Sequence, residues 1–388
     1  MLQPIISICI STFKRANYLD WQLNNFMCLG EKVSQWEFVI SSNGILDNTR
    51  NIIEKYQKNL NILFHEFPIN FGPEVNFRKT IQLANSNIVA LLADDDFLDV
   101  DAVNQYLKLF EDSPNLAAIY APWKYLNLID QSVEGQFYYQ NDDVIIRQKD
   151  YFSATEHILD HSIFPEIWIS RKEVVKNWLA QNDVAFHFLI WFTQTIKSGD
   201  IILLKNPFYY SITRHHADSG PRNQLGTVGV KNSWDSYKGG FEILITLSKR
   251  QRHLPQVSLD HYRAQIEEII RVRMRIAFEA KLRAGEFLES YILFLRINNE
   301  LNDFEYGISL NDILGLAALE DIVQNSDSKN KPFYLDVDID SNVRILANKF
   351  LPEKFLLINK NNNTIYKISP SKEFYSYEDA VKKLSFFD

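Results

Sequence analysis

Short apolar runs separated by amphipathic stretches recur through the first third of the chain, a pattern that confines it to a mostly parallel sheet covered by helices. Residues 5–11, 37–42, 61–67 and 88–93 read as buried strands, and 18–29, 49–60 and 74–84 read as the helices between them. In such open α/β sheets ligands bind beyond the carboxyl ends of the strands. The polar clusters Ser11-Thr12, Ser42-Asn43 and Asp94-Asp95-Asp96 all fall at those ends. The expected class is therefore α/β, with the chemistry gathered at one edge of the sheet.

The 388 residues, 46% of them hydrophobic, suffice for a full catalytic domain and a smaller one. No basic segment followed by an apolar stretch opens the sequence, and no run approaches about 18 apolar residues, so a cytoplasmic protein is expected. The two cysteines, Cys9 and Cys28, lack a CxxC partner or nearby histidines. Neither a disulfide framework nor a zinc site is supported, and both thiols are expected in the core. A net charge of −8 argues against nucleic acid as a partner. The charge is uneven, with nine Lys/Arg against four Asp/Glu across 249–283. That stretch reads as a salt-bridged helix face, or as a peripheral contact with anionic lipid at the inner face of the cell membrane.

After 116–122, another strand, the aromatic stretch 123–151 reads as a hairpin or insertion. Helices at 151–159, 173–181 and 186–198 and an apolar segment at 164–170 follow. Residues 201–213 read as one strand interrupted by Asn206-Pro207, and 215–229 as a loop. From 233 the pattern becomes helical, at 234–247, 260–283 and 287–300. The polar linker 325–332 leads to a tail of mixed α+β character. The boundaries drawn are 1–230 for the α/β domain, 231–325 for a helical extension and 326–388 for the tail.

The aspartate triplet is the sharpest chemical signal. Carboxylates about 4 Å apart repel by roughly 1 kcal/mol in water and several-fold more in a protein cleft. Asp94, Asp95 and Asp96 therefore call for compensation, and a divalent cation carrying a phosphorylated ligand supplies it. Neither GxGxxG nor GxxxxGK[ST] is present, so the glycine-rich phosphate cradles are excluded. Mg²⁺ or Mn²⁺ held by one or two carboxylates and by diphosphate oxygens remains.

Four motifs then occur in a familiar order: Ile8-Cys9-Ile10-Ser11-Thr12-Phe13-Lys14-Arg15; Glu37 to Asn43 with Asp47-Asn48-Thr49; Asn70-Phe71-Gly72 reaching Asn76; and Leu91-Leu92-Ala93-Asp94-Asp95-Asp96. Together they resemble glycosyltransferase family 2, which has the GT-A fold, over about the first 125 residues and more weakly to about 225. The resemblance implies a metal-dependent, inverting glycosyltransferase of bacterial surface-glycan synthesis. Its partners would be a nucleotide-sugar donor, UDP-linked by default, and a saccharide or lipid-linked acceptor. A homo-oligomer is compatible with it.

Residue by residue, the resemblance places Ser11, Thr12, Phe13 and Arg15 in the nucleoside pocket, with Asn43 and Asn76 at its rim. Ser42 stands where the family often has an aspartate that contacts the base. Asp94 and Asp96 match the DXD pair, Asp94 nearer the ribose, Asp96 as the main metal ligand and Asp95 between them. His216 or His215 would complete the metal site, and Arg222 on the loop that follows would approach the diphosphate. The general base that deprotonates the acceptor would be Asp183 or His187, with Glu166 as a third choice. Asp183 also reads as the N-cap of the next helix, and the aromatic residues of 186–192 as core. Two other classes stay open: a nucleotidyltransferase, against which Ser11 to Arg15 offers no glycine, and an inactive scaffold that binds a nucleotide-sugar or glycan.

Overall fold

The structure is a computed structural model in which residues 3–45, 47–181, 184–218, 234–251, 256–297, 308–324 and 377–385 are described. The chain divides into two compact units, Met1–Asn223 with Asp235–Glu267 and Gln224–Trp234 with Glu268–Asp388.

The first unit is built on β1 (Ile6–Thr12), β2 (Trp36–Ser42), β3 (Ile62–Glu66) and β4 (Ile88–Ala93), with α1 (Ala16–Cys28), α2 (Thr49–Tyr56) and α3 (Pro73–Leu83) between them. These strands lie in the order β3-β2-β1-β4, all parallel. Ile6, Ile8 and Ile10 of β1 are fully buried in one core with Leu19, Leu23 and Phe26, which recur at helical spacing on α1. Each such side chain contributes about 1.5–3 kcal/mol through burial. Gly72, at φ +91° just before Pro73, gives the chain the left-handed turn from which α3 starts.

The sheet continues through β10 (Trp168–Arg171), β6 (Leu116–Tyr120), β11 (Asp200–Leu203) and β9 (Val144–Ile146). β10 runs antiparallel to both neighbours and β9 antiparallel to β11, so the eight-stranded sheet is mixed but mostly parallel. Helices α4 (Val100–Asp112), α5 (Tyr151–Asp160), α6 (Lys172–Lys176) and α7 (His187–Ser198) complete this part. A second sheet, in the order β5-β12-β7-β8, joins β5 (Phe97–Leu98), β12 (Tyr209–Arg214), β7 (Trp123–Asn127) and β8 (Ser132–Gln136).

Three expectations change. The single strand over 201–213 is two strands in different sheets, with Asn206-Pro207 as the crossing point. The helix placed at 173–181 stops at Lys176, where the Asn177 side chain bonds back to the Glu173 carbonyl at 2.8 Å. Cys9 is buried, which pushes its thiol up to about 12, but Cys28 at the last turn of α1 is exposed.

Beyond 233 the described residues are helical: α8 (Trp234–Gln251), α9 (Gln256–Arg283), α10 (Phe287–Ile297), α11 (Leu310–Gln324) and α12 (Tyr377–Leu384). In the second unit α10 packs on α11 and α11 on α12, and Lys383 grips Asp321 at 2.9 Å. The arginines of α9 pair along their own helix, Arg263 with Asp260 at 3.3 Å and Arg271 with Glu268 at 3.1 Å. Most of the tail, 325–376 and 386–388, lies outside the described residues. Among the described residues no helix is long and apolar enough to cross a membrane.

Candidate active site

The chain leaves β1 toward β2 and β3 on one side and returns to place β4 on the other. Such a reversal opens a crevice at the carboxyl ends of the two central strands. Thr12 ends β1 and Asp94 follows β4, so the crevice lies between them.

Asp94, Asp95 and Asp96 are 4%, 4% and 8% exposed, an unusual depth for three adjacent carboxylates. One guanidinium serves two of them: Arg15 donates to Asp94 Oδ1 at 3.0 Å and to Asp95 Oδ2. Burial would lower the Arg15 pKa, but Asp94 and Asp95 outweigh it and hold it above its ordinary value. Asp94 is nevertheless pushed up to about 6, by burial first and by Asp95 second, against the pull of Arg15.

Asp96 turns away from its neighbours toward the second sheet. Tyr209 Oη donates to its Oδ2 at 2.7 Å and the Ile212 amide to its Oδ1 at 2.8 Å. Burial and Asp96 raise the Tyr209 phenol well above its ordinary value, so it remains a donor. The same phenol oxygen accepts the Ala93 amide at 3.2 Å. From the other side Gln22 of α1 donates to the carbonyls of Ala93, at 2.7 Å, and Asp96, at 2.6 Å. Tyr209 and Gln22 were not among the sequence candidates. Gln22 did carry a signal, as the one polar residue in the buried stripe Leu19, Gln22, Leu23, Phe26.

The other expected residues separate into groups. Thr12 and Ser42 are 2% exposed, Ser11 is half-buried, and Phe13 reaches the surface with Lys14 over its ring. Lys14 itself sits at φ +56°, a costly conformation for a residue with a side chain. Asn43 is spent on the 70–72 turn: it donates to Asn70 Oδ1 at 2.8 Å and the Gly72 carbonyl at 3.0 Å, and accepts the Phe71 amide at 2.8 Å. Asn76 donates to the Thr12 carbonyl at 3.1 Å, and its own Oδ1 is buried without a hydrogen-bond partner among the described residues. Asp183 and Arg222 lie outside the described residues.

His215 is 2% exposed, its ring 4.8 Å from Tyr18 and 4.9 Å from Trp21. Its Nδ1 accepts the Ala217 amide at 3.0 Å, which puts the proton on Nε2. Tyr18 also donates to Asp218, whose other oxygen accepts the His215 amide at 3.1 Å, so α1 fastens residues 215–218 in place. His216 is exposed, its ring 6.3 Å from that of His215. His187 begins α7; burial pulls its pKa down to about 4 against the pull of Glu74. Gln181 Nε2 lies 3.1 Å from its Nδ1, which occupies that lone pair. Glu166 is half-buried in the turn after Phe164.

Among the described residues no three His, Cys, Asp or Glu side chains converge as a ready-made metal cage. That suits a cation held partly by its substrate, since Mg²⁺ and Mn²⁺ take one or two carboxylates and complete their shell with phosphate and water oxygens. Three adjacent buried carboxylates, which present oxygen donors, fit such an ion. A cavity of about 830 Å³ elsewhere, lined by Ile5, Gln35, Ile88 and Arg171, opens at the opposite end of these strands. Its arginine is already committed to the Leu116 and Phe110 carbonyls, so it offers no competing site.

Residues 7–179 match the family model Glycosyl transferase family 2. Abequosyltransferase RfbV of Salmonella typhimurium is 32% identical over 101 residues, which are 26% of this chain and 30% of that protein. An uncharacterised glycosyltransferase of Mycoplasma pneumoniae is 30% identical over 118 residues, 30% of this chain and 40% of that one. The chain thus covers well under half the length of these curated relatives. The crystal structure of S. aureus TarS in complex with UDP-GlcNAc superposes with a TM-score of 0.49 at 14% identity, over 75% of this chain and 80% of that one.

Proposed function

We propose that this chain, which belongs to glycosyl transferase family 2 through its residues 7–179, moves a sugar from a nucleoside diphosphate onto a saccharide hydroxyl, with inversion at the anomeric carbon. The observation that carries the reading is the set of three adjacent buried carboxylates beside Thr12, at the switch point of the sheet. A diphosphate brings two or three negative charges of its own and binds such a cluster only with a cation between. Asp94 and Asp96 would hold that Mn²⁺ or Mg²⁺, with His216 as a further ligand. The bound ion would stabilise the charge that collects on the leaving diphosphate.

The protein's own groups define the rest. Thr12 and Ser42 line the floor on which the nucleoside lies, and Arg15 fixes Asp94 and Asp95 in place by donating to both. As the acceptor oxygen bonds to the anomeric carbon, the bond from that carbon to the diphosphate oxygen breaks, and the acceptor's proton passes to a protein base. His187 has its Nδ1 occupied by Gln181, which favours Asp183 as that base. The name of the Salmonella relative, an abequosyltransferase, supports a sugar as the group transferred.

The test is a thermal-shift and turnover panel of nucleotide-sugars with and without Mn²⁺. Stabilisation by one donor class only when the ion is present, followed by release of its nucleoside diphosphate in the presence of oligosaccharide acceptors, is the expected result. Failure of every nucleotide-sugar to bind would sink the reading.

A further inference from the structure

The carboxyl edge of the sheet carries a second acidic group that the donor site as drawn does not use. Glu66 is the last residue of β3, and its side chain is only 6% exposed. The strand register aligns it with the site: Thr12 pairs with Ser42, Ser42 pairs with Glu66, and on the other side Ser11 pairs with Ala93, which precedes Asp94. Residues paired in a parallel sheet point to the same face. That face is marked one turn of the pleat earlier by Ile10, Ile40 and Phe64, which pack in the core shared with α1.

The result is a row, Asp94, Thr12, Ser42, Glu66, with one residue from each of four adjacent strand ends. At about 4.8 Å per strand the row spans about 14 Å. A nucleoside diphosphate laid across the strand ends with its phosphates at Asp94 would carry its base to the far end of the row. Thr12 and Ser42 bring hydroxyls to the middle, where a ribose would lie; Ser42 Oγ donates to the Gly44 carbonyl at 3.2 Å.

Glu66 is held for such a role. Arg50 in the first turn of α2 pairs with its Oε2 at 2.5 Å, and the same guanidinium lies 5.7 Å from the centre of the Phe64 ring. Oε1 has no hydrogen-bond partner among the described residues. We infer that Glu66 is the residue that reads the base, accepting a hydrogen bond at Oε1 from a ring N–H. This rests on the donor reading above and adds its specificity. An ionised carboxylate only accepts. It matches the protonated ring nitrogen of uracil, thymine or guanine and confronts the bare ring nitrogen of cytosine or adenine. The donor class is therefore a nucleotide whose base presents a ring N–H.

The experiment measures the affinities of UDP, dTDP, GDP, CDP and ADP, each with Mn²⁺, for the full chain and for Glu66→Gln and Arg50→Met. Wild type is expected to bind at least one of UDP, dTDP and GDP about 10-fold or more tighter than CDP and ADP, the discrimination of one good base-edge contact. Glu66→Gln should erase most of that ratio, because its amide can donate to the bare ring nitrogens. Arg50→Met, which loses the same ion pair but keeps the carboxylate, should retain the ranking. An unchanged ratio in Glu66→Gln overturns the inference while leaving the donor reading intact; a wild-type protein that binds no nucleotide overturns both. Should Glu66→Gln not fold, Glu66→Asp is measured in its place. The ratio should then shrink because the carboxylate is withdrawn by one methylene, and an unchanged ratio again overturns the inference.

Discussion

Two buried carboxylate sites in the same sheet are treated in opposite ways. Glu37, near the amino end of β2, is 3% exposed and fully surrounded by neutral donors. Ser7 Oγ and the Asn85 amide reach Oε2 at 2.5 and 2.8 Å, and the Asn85 side chain reaches Oε1 at 2.5 Å. In the Asp94–Asp96 cluster Arg15 donates to two of the three members and Tyr209 and Ile212 to the third, while burial and Asp95 push Asp94 up to about 6. A carboxylate that only holds a fold together is saturated with donors where it sits. The triplet instead crowds three carboxylates side by side in a crevice, the arrangement expected of a ligand site.

That contrast breaks if both sites respond alike to substitution. The largest effect is expected at Asp96→Asn, which keeps the shape and removes the charge: transfer should fall by at least about 1,000-fold, as for the loss of a central electrostatic contact. Because the asparagine amide would set an N–H against one of the Tyr209 and Ile212 donors, a stability loss of about 1–3 kcal/mol is expected alongside, and retained turnover per folded molecule would remove Asp96 from the site. Glu37→Ala is expected to act on stability alone. Leaving Ser7 and the two Asn85 donors unmatched should cost about 3 kcal/mol or more, read from denaturant midpoints, with turnover per folded molecule unchanged.

Tyr209→Phe sharpens the comparison, because it touches both a carboxylate of the proposed donor site and the backbone of β4. Removing Oη deprives Asp96 of a donor and the Ala93 amide of its acceptor. A loss of about 1–2 kcal/mol in stability with a roughly 10-fold drop in turnover is expected. If turnover is untouched, Asp96 does not depend on the second sheet.

The smallest effect concerns a buried group far from the acidic edge. Burial first, and His161 second, pull His157 down to about 4. Its unfolded chain takes up a proton near pH 6.5 and the folded protein does not, so its contribution is complete above 6.5 and lost as pH falls from there toward 4. Discounted for partial exposure, about 1 kcal/mol is at stake. His157→Gln should flatten the acid side of the stability curve by that amount in urea unfolding between pH 7 and 4. No difference from wild type would show that the ring is not constrained by burial.

Much of this was legible in the residues. The apolar runs at 5–11, 37–42 and 88–93 fall within a residue of β1, β2 and β4, because strands buried on both faces need continuous hydrophobicity and leave little choice of boundary. Helix α4 was passed over, although Asp99 caps it through the Ala102 amide at 3.0 Å and Val100, Val103, Leu107 and Phe110 form its buried face. Its start sits so close to the triplet that Asp99 reads as part of one acidic run. Thr12 and Ser42 were legible at strand ends, and Arg15 through the family resemblance. Tyr209 and Ile212 were not, since nothing local links them to a residue 113 or 116 positions earlier; only the pairing of β5 with β12 brings them there.

The same pairing sets a limit on modularity. The family segment ends at residue 179, yet the groups that hold Asp96 arrive at 209 and 212. A chimera joined at the family boundary would inherit the triplet from one parent and its backstop from another. Exchange of catalytic halves between relatives should therefore succeed only when the junction falls beyond Asp218, where β12 and the segment fastened to Tyr18 travel together.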